Sequence, residues 1–319
     1  MATAQTMTVS RAKDFARRLR AGDRVAYTVA LVCAASIFLV TCLLVIELWS
    51  SSTLARHKFG WNFIFTQTWD PVAEQFGALP FIYGTVVTSL LALIISVPLG
   101  IGAAIFLAEL APPAASSTLA FLIELLAAVP SVIYGLLGIF LLVPVLQSSV
   151  VPVLKSVLGF LPIFSGPFYG VSLFSAGVVL SIMIMPFIVS VSREVLLSVP
   201  VEQREAALAL GATQWESTWR VVLPYARRGI FGSIFLALAR ALGETMAVTM
   251  VVGNTPRIQP SLLGPGYSIA AVIANEFTEA TSDIYIQTLI ELGLVLFALT
   301  ILINGLARLL ILTTGGSQT

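Results

Sequence analysis

Charge is what this sequence has least of. Only 10% of its 319 residues are Asp, Glu, Lys or Arg, against about 25% in ordinary soluble domains. Hydrophobic residues make up 58%, and the mean hydropathy is strongly positive. That balance excludes a soluble globular domain and leaves an integral membrane protein. The net charge of +1 excludes the basic face that a nucleic-acid partner requires. Histidine occurs once, as His57, so a histidine metal site or a Ser–His pair has nothing to build on, and neither a metal site nor a catalytic residue is expected. Cys33 and Cys42 lie nine positions apart in one apolar run; on a helix that is about 13 Å and opposite faces, too far to bridge. None of the three lysines, Lys13, Lys58 and Lys155, follows a glycine, which excludes a G-x-x-x-x-G-K-[ST] phosphate loop.

What is abundant is long apolar runs. They cover roughly Val25 to Trp49, Phe81 to Leu107, Leu119 to Val145, Val171 to Val191, Gly229 to Val252 and Ile286 to Thr313. Each is long enough to cross a hydrocarbon core of about 30 Å at about 1.5 Å per residue. The expected fold class is therefore an all-α membrane protein with six transmembrane helices. A basic, cytoplasmic N-terminal segment at 1–24 precedes a permease-like body at 25–319. The first run lacks a small-x-small cleavage site at its end and reads as a spanning helix, not a cleaved signal. Pro98, Pro130, Pro144 and Pro186 fall inside runs, which membrane bundles tolerate. The apolar stretch Ser149 to Leu161 is interrupted by Pro152, Lys155 and Gly159 and reads as interfacial or re-entrant.

Lys and Arg set the orientation. With the N-terminus inside, twelve cations face the cytoplasm: Arg11, Lys13, Arg17, Arg18, Arg20, Arg24, Arg193, Arg204, Arg220, Arg227, Arg228 and Arg308. Four face outward, Arg56, Lys58, Lys155 and Arg257. Both termini and the loop at 200–228 are thus expected in the cytoplasm.

That loop carries its own pattern. Glu202 and Glu205 follow Pro200 early in a helix, where acids suit the positive dipole end. Gly211 fits a left-handed C-terminal position, and Thr213 to Glu216 has capping-box spacing for a second short helix, which Leu223-Pro224 is expected to break before the fifth span. The series Glu205-Ala206-Ala207, Gly211, Val221 and Leu223-Pro224 resembles the EAA loop of ABC importer permeases, with Val221 where isoleucine is usual. The resemblance implies that Glu205, Ala206, Ala207, Gly211, Leu223 and Pro224 form the element that docks in a groove of an ATPase subunit.

Arg240 and Glu244 lie in the fifth run, four apart, so a continuous helix would project them from one face. Each is costly inside a bilayer. A guanidinium matches phosphate-type oxyanions and stays charged when desolvated, so the pair reads either as an anion-handling site or as a structural ion pair. Weaker candidates for the path are Thr85, Thr88, Ser131 and Glu291; Glu291 or Glu124 could pair with Arg240. Hydroxyls in such helices also serve plain helix–helix contacts.

The segment Arg240-Ala241-Leu242-Gly243-Glu244-Thr245-Met246-Ala247-Val248, followed by Gly253-Asn254, is similar to the signature of PstC-type permease subunits of phosphate ABC importers. Ala128-Val129-Pro130-Ser131-Val132-Ile133-Tyr134-Gly135 resembles that family's Pro-Ser-x-x-Tyr-Gly segment. The resemblance implies the six-helix ABC importer permease fold in a bacterial plasma (inner) membrane, with inorganic phosphate as substrate. It implies as partners a second, PstA-like permease, a dimer of PstB-like ATPase subunits and an extracytoplasmic PstS-like binding protein. No cofactor is expected on this chain; ATP and Mg would sit on the ATPase subunits. A permease for another oxyanion and an ion-coupled secondary carrier are the alternatives. An intramembrane hydrolase lacks a nucleophile–base pair.

Overall fold

The computed structural model describes the backbone of residues 2–314 and the side chains of residues 25–309. The side chains of the six N-terminal cations, and the C-terminal end past 314, lie outside the described residues. The described chain is helical, with one isolated bridge between Asp70 and Gln75. Six helices are long and apolar enough to span a bilayer: Val25–Ser51, Leu79–Leu110, Ser131–Leu158, Leu173–Leu197, Gln214–Leu242 and Asp283–Leu309. The first belongs to a single helix, Ala2–Ser51, that forms a unit of its own with free thiols at Cys33 and Cys42. The remaining five belong to the second unit, which begins at Ser52.

Two spans differ from the sequence expectation, and proline is the reason in both. Hydropathy places the third at Leu119 to Val145; instead Pro113–Ala127 is a separate helix and the span is Ser131–Leu158. Pro130 adopts φ −57° and ψ 140° as the N-cap, and its ring disfavours helical backbone at the preceding residue, which separates the two helices. The stretch Ser149 to Leu161 is helical through Leu158. Its helix Val151–Leu158 is the far end of the third span. In the loop at 200–228, Leu223-Pro224 does not break the helix: Gln214 to Leu242 runs on without interruption.

A single device carries the helices past these prolines. The π-turns Phe106–Leu110, Gly138–Leu142, Leu146–Val150 and Thr218–Val222 each end two residues before a proline, namely Pro112, Pro144, Pro152 and Pro224. In each, the residue just before the proline bonds five back: Ala111 to Phe106, Val143 to Gly138, Val151 to Leu146 and Leu223 to Thr218. An α-helical proline clashes with the carbonyl four residues earlier and offers it no donor. The wider turn makes room for the ring and gives the neighbouring N–H a partner. The helix continues past three of the four prolines, and only the second span ends there.

The fourth span is the axis of this unit, about two-thirds buried where the other spans are a third buried or less. Leu173, Leu180, Met183, Ile184 and Ile188 pack with Ala92 of the second span, Tyr134 of the third, Ala237 and Ala241 of the fifth, and Ala247 to Val252 beyond it. Ser192 and Ser233 share a 2.8 Å hydrogen bond where the fourth and fifth spans cross, a common way for polar groups to join membrane helices.

At one end of the bundle, Phe63, Phe76 and Phe81 pack with Tyr267, Ile269 and Tyr285. The Glu276 carboxylate accepts hydrogen bonds from Trp69 Nε1 at 2.9 Å and Tyr285 OH at 2.6 Å. Burial pushes the neighbouring Tyr267 phenol up to about 12. The second span meets this layer at Gly84, where a Cβ would lie 2.0 Å from the Tyr267 carbonyl oxygen. Because the obstacle is backbone, Gly84→Ala is expected to lower stability by about 1–3 kcal/mol, read as an earlier thermal transition of the purified protein; an unshifted transition would contradict this packing.

Candidate functional site

The fifth span does not run to Val252. It ends at Leu242, and Met246–Val252 is a separate helix that closes at Gly253 with φ +92°. Gly243, Glu244 and Thr245 lie in the break between them. Arg240 and Glu244 therefore do not project from one helical face, and no ion pair joins them among the described residues. Glu244 instead caps the next helix. Its Oε1 accepts the Ala247 N–H at 3.1 Å, satisfying one of the donors that a helix start leaves open. A glycine at the end of one helix and a carboxylate at the start of the next turn the chain within three residues.

Arg240, freed from that pairing, is exposed on the surface of the subunit. Tyr134 on the third span lies within electrostatic reach of it and donates its hydroxyl to the Leu126 carbonyl at 2.8 Å. The helix Ser131–Leu137 packs tightly on Met246–Val252: a Cβ on Gly135 would lie 3.2 Å from the Ala247 Cα. Half-buried Ser131 opens that helix. The structure thus gathers Arg240, Tyr134, the Glu244 break and the start of the Ser131 helix into one region.

Other candidates have different surroundings. Thr85, 2% exposed, donates to the Phe81 carbonyl at 2.8 Å and accepts the Ile269 N–H at 2.9 Å. Thr88, equally buried, donates to the Gly84 carbonyl at 2.8 Å. Both hydroxyl hydrogens are engaged within the second span. Glu291 is 5% exposed, its Oε2 has no hydrogen-bond partner among the described residues, and the cation within electrostatic reach of it is Arg56, not Arg240. Glu124 is exposed and makes no ion pair with Arg240.

The loop at 200–228 folds largely as its pattern indicates. Val201–Ala209 is a helix with Pro200 as its N-cap, and Gly211 follows at φ +88°. The capping box closes in both directions, Thr213 Oγ1 accepting the Glu216 N–H at 3.2 Å and Glu216 Oε2 accepting the Thr213 N–H at 2.9 Å. Glu205 and Ala206 are exposed, Ala207 is buried, and Leu210 is 90% exposed at the tip.

Residues 96–312 match the family described as binding-protein-dependent transport system inner membrane component. The chain belongs to this permease family. Phosphate transport system permease protein PstC of Mesorhizobium japonicum is 49% identical over 271 residues, covering 84% of this chain and 83% of that protein. The PstC proteins of Xylella fastidiosa strain 9a5c and Pasteurella multocida are 49% and 47% identical, covering 79% and 86% of this chain and 79% and 87% of their own lengths. The permease is a multi-pass membrane protein, as its six spans require.

Tyr134, Arg204 and Glu109 are the residues that sequence reading passes over. Tyr134 stands inside the Pro-Ser-x-x-Tyr-Gly segment without a role. Arg204 counts only toward orientation, and Glu109 carries no signal at all.

Proposed function

We propose that this chain is the PstC-type permease subunit of an ATP-driven importer of inorganic phosphate and forms the translocation path with a second, related permease. The observation that carries the reading is Arg240: an exposed guanidinium at a helix break, without a carboxylate partner among the described residues, in a chain whose relatives are phosphate permeases. A forked, permanently charged donor suits an oxyanion. One guanidinium is a modest counter-charge for a phosphate dianion, so a further cation is assigned to the partner permease. Glu244 shapes the break and contributes a negative charge that keeps the site from trapping its anion.

In this reading an extracytoplasmic binding protein delivers phosphate, and a pair of ATPase subunits carrying ATP and Mg docks on the exposed face of Val201–Ala209. The bias of cations supports a cytoplasmic side for that loop and both termini, in a bacterial plasma membrane. Two docked ATPases that close and separate would alternate access to Arg240 from the two sides.

The test is ATP hydrolysis by the complex reconstituted in liposomes with its binding protein. Phosphate is expected to accelerate hydrolysis and sulfate to leave it at the basal rate. Equal stimulation by sulfate would move the assignment to another oxyanion, and no stimulation by either would overturn the importer reading.

A further inference from the structure

The loop helix Val201–Ala209 has a single buried residue, Ala207. Nine residues are too few for a stable helix on its own in water, where about 12–15 are needed even for favourable sequences. Something other than apolar burial must fix its position.

Arg204 supplies it. While its neighbours Glu205 and Ala206 face outward, Arg204 turns back toward the spans. Its Nη2 donates to Glu109 Oε1 at 2.8 Å and to the Leu196 carbonyl at 2.7 Å, and its Nε donates to Glu109 Oε2 at 3.2 Å. Its Nη1 donates to the Val199 carbonyl. Glu109 lies in the π-turn that closes the second span, Leu196 in the last turn of the fourth, and Val199 just past it. One planar side chain therefore joins the loop helix to the ends of two spans. The pair is well shielded, with side-chain exposures of 20% for Arg204 and 9% for Glu109.

We propose that Arg204 and Glu109 are positioning residues that lock the loop helix to the second and fourth spans, so that a displacement of the helix by a docked ATPase is carried into the bundle. The proposal rests on the reading of this loop as the coupling element. An apolar contact would hold the helix but let it slide. A fork that satisfies a carboxylate with two nitrogens and two carbonyls besides has one geometry. The fourth span is the buried axis against which the fifth, bearing Arg240, packs, so motion passed to it reaches the candidate anion site through directly packed helices.

The experiment compares Arg204→Lys and Glu109→Gln in the full complex in liposomes. It measures retention of the ATPase subunit together with phosphate uptake per ATP hydrolysed. Lysine keeps the charge but cannot span the partners, and glutamine keeps the shape of Glu109 without its charge. The expected result is a complex that retains its ATPase, with uptake per ATP reduced about 5- to 150-fold, the span of ordinary coupling energies. A purely structural contact would lower uptake and hydrolysis together and leave their ratio at the wild-type value. That outcome, or loss of the complex in both variants, overturns the proposal. Glu205→Lys in the same assay separates the two readings. If it neither releases the ATPase nor changes the ratio, the loop is not the coupling element and the reading beneath the proposal fails. If it does either while both clamp variants keep the wild-type ratio, the clamp alone is wrong.

Discussion

Arg240→Gln is expected to slow phosphate uptake by about tenfold or more while the subunit folds and assembles as before. Had Arg240 and Glu244 formed a buried pair, removing the arginine would strand a carboxylate and cost about 3–5 kcal/mol, and loss of transport would say nothing about the anion. The structure removes that ambiguity. Glu244 Oε1 is occupied by the Ala247 N–H, Arg240 is exposed, and no ion pair holds it among the described residues. Glutamine at 240 leaves the fold with nothing to repair, since substitutions at exposed sites usually fall within about 0.5 kcal/mol. The lost interaction with a charged anion is worth about 1.5–3 kcal/mol, which is about 10- to 150-fold in uptake rate. The measurement is radiolabelled phosphate uptake by cells or liposomes holding equal amounts of assembled complex. Normal uptake by a stably assembled variant would remove Arg240 from the path.

The same break explains why the spans are easier to read than the site. Hydropathy depends on composition over some 20 residues, and the spans occur close to where the apolar runs lie, the second at Leu79–Leu110 and the fourth at Leu173–Leu197. Breaks depend on single residues whose effect is set by tertiary context. Pro130 starts a helix, Pro98 and Pro186 sit inside helices, and Pro144, Pro152 and Pro224 ride behind π-turns. Nothing in the local sequence separates these fates, because bundle neighbours decide whether the freed backbone groups find partners. The shifted start of the third span and the expected break at Leu223-Pro224 have this one origin. The i, i+4 spacing of Arg240 and Glu244 misleads for a related reason: it presumes a helix through Gly243, where the chain instead turns.

The loop is more legible because its signals are local. A capping box needs only Thr213 and Glu216 at the right spacing, and a left-handed turn only a glycine at 211, where φ is +88°. Arg204 escapes notice because its partners are distant in sequence, Glu109 being 95 residues away. A long side chain is free to reach partners that spacing cannot name.

Glu205→Lys carries the second large effect, and its force comes from where Glu205 is not. Arg204 reaches inward to Glu109, yet the next residue is exposed and takes part in none of the ion pairs among the described residues. Reversing its charge therefore breaks nothing within the subunit, whose stability is expected to stay within about 0.5 kcal/mol of wild type. Against an ATPase groove the same change replaces a carboxylate by a cation on the proposed docking face, beside Ala206 and just over a turn before the tip at Leu210. Losing one partner of a desolvated charge pair costs about 2–5 kcal/mol of binding, roughly 30-fold or more in affinity for the ATPase subunit. Co-purification of the two subunits in detergent measures it, and hydrolysis without uptake in liposomes is the companion signature. Gly211→Val approaches the same face by another route: no atom stands within 4 Å of where its Cβ would lie, so its cost is the left-handed backbone alone, about 1–2 kcal/mol, spent on reshaping the tip. A Glu205→Lys subunit that holds its ATPase and couples normally would show that this face is not where force enters the membrane helices.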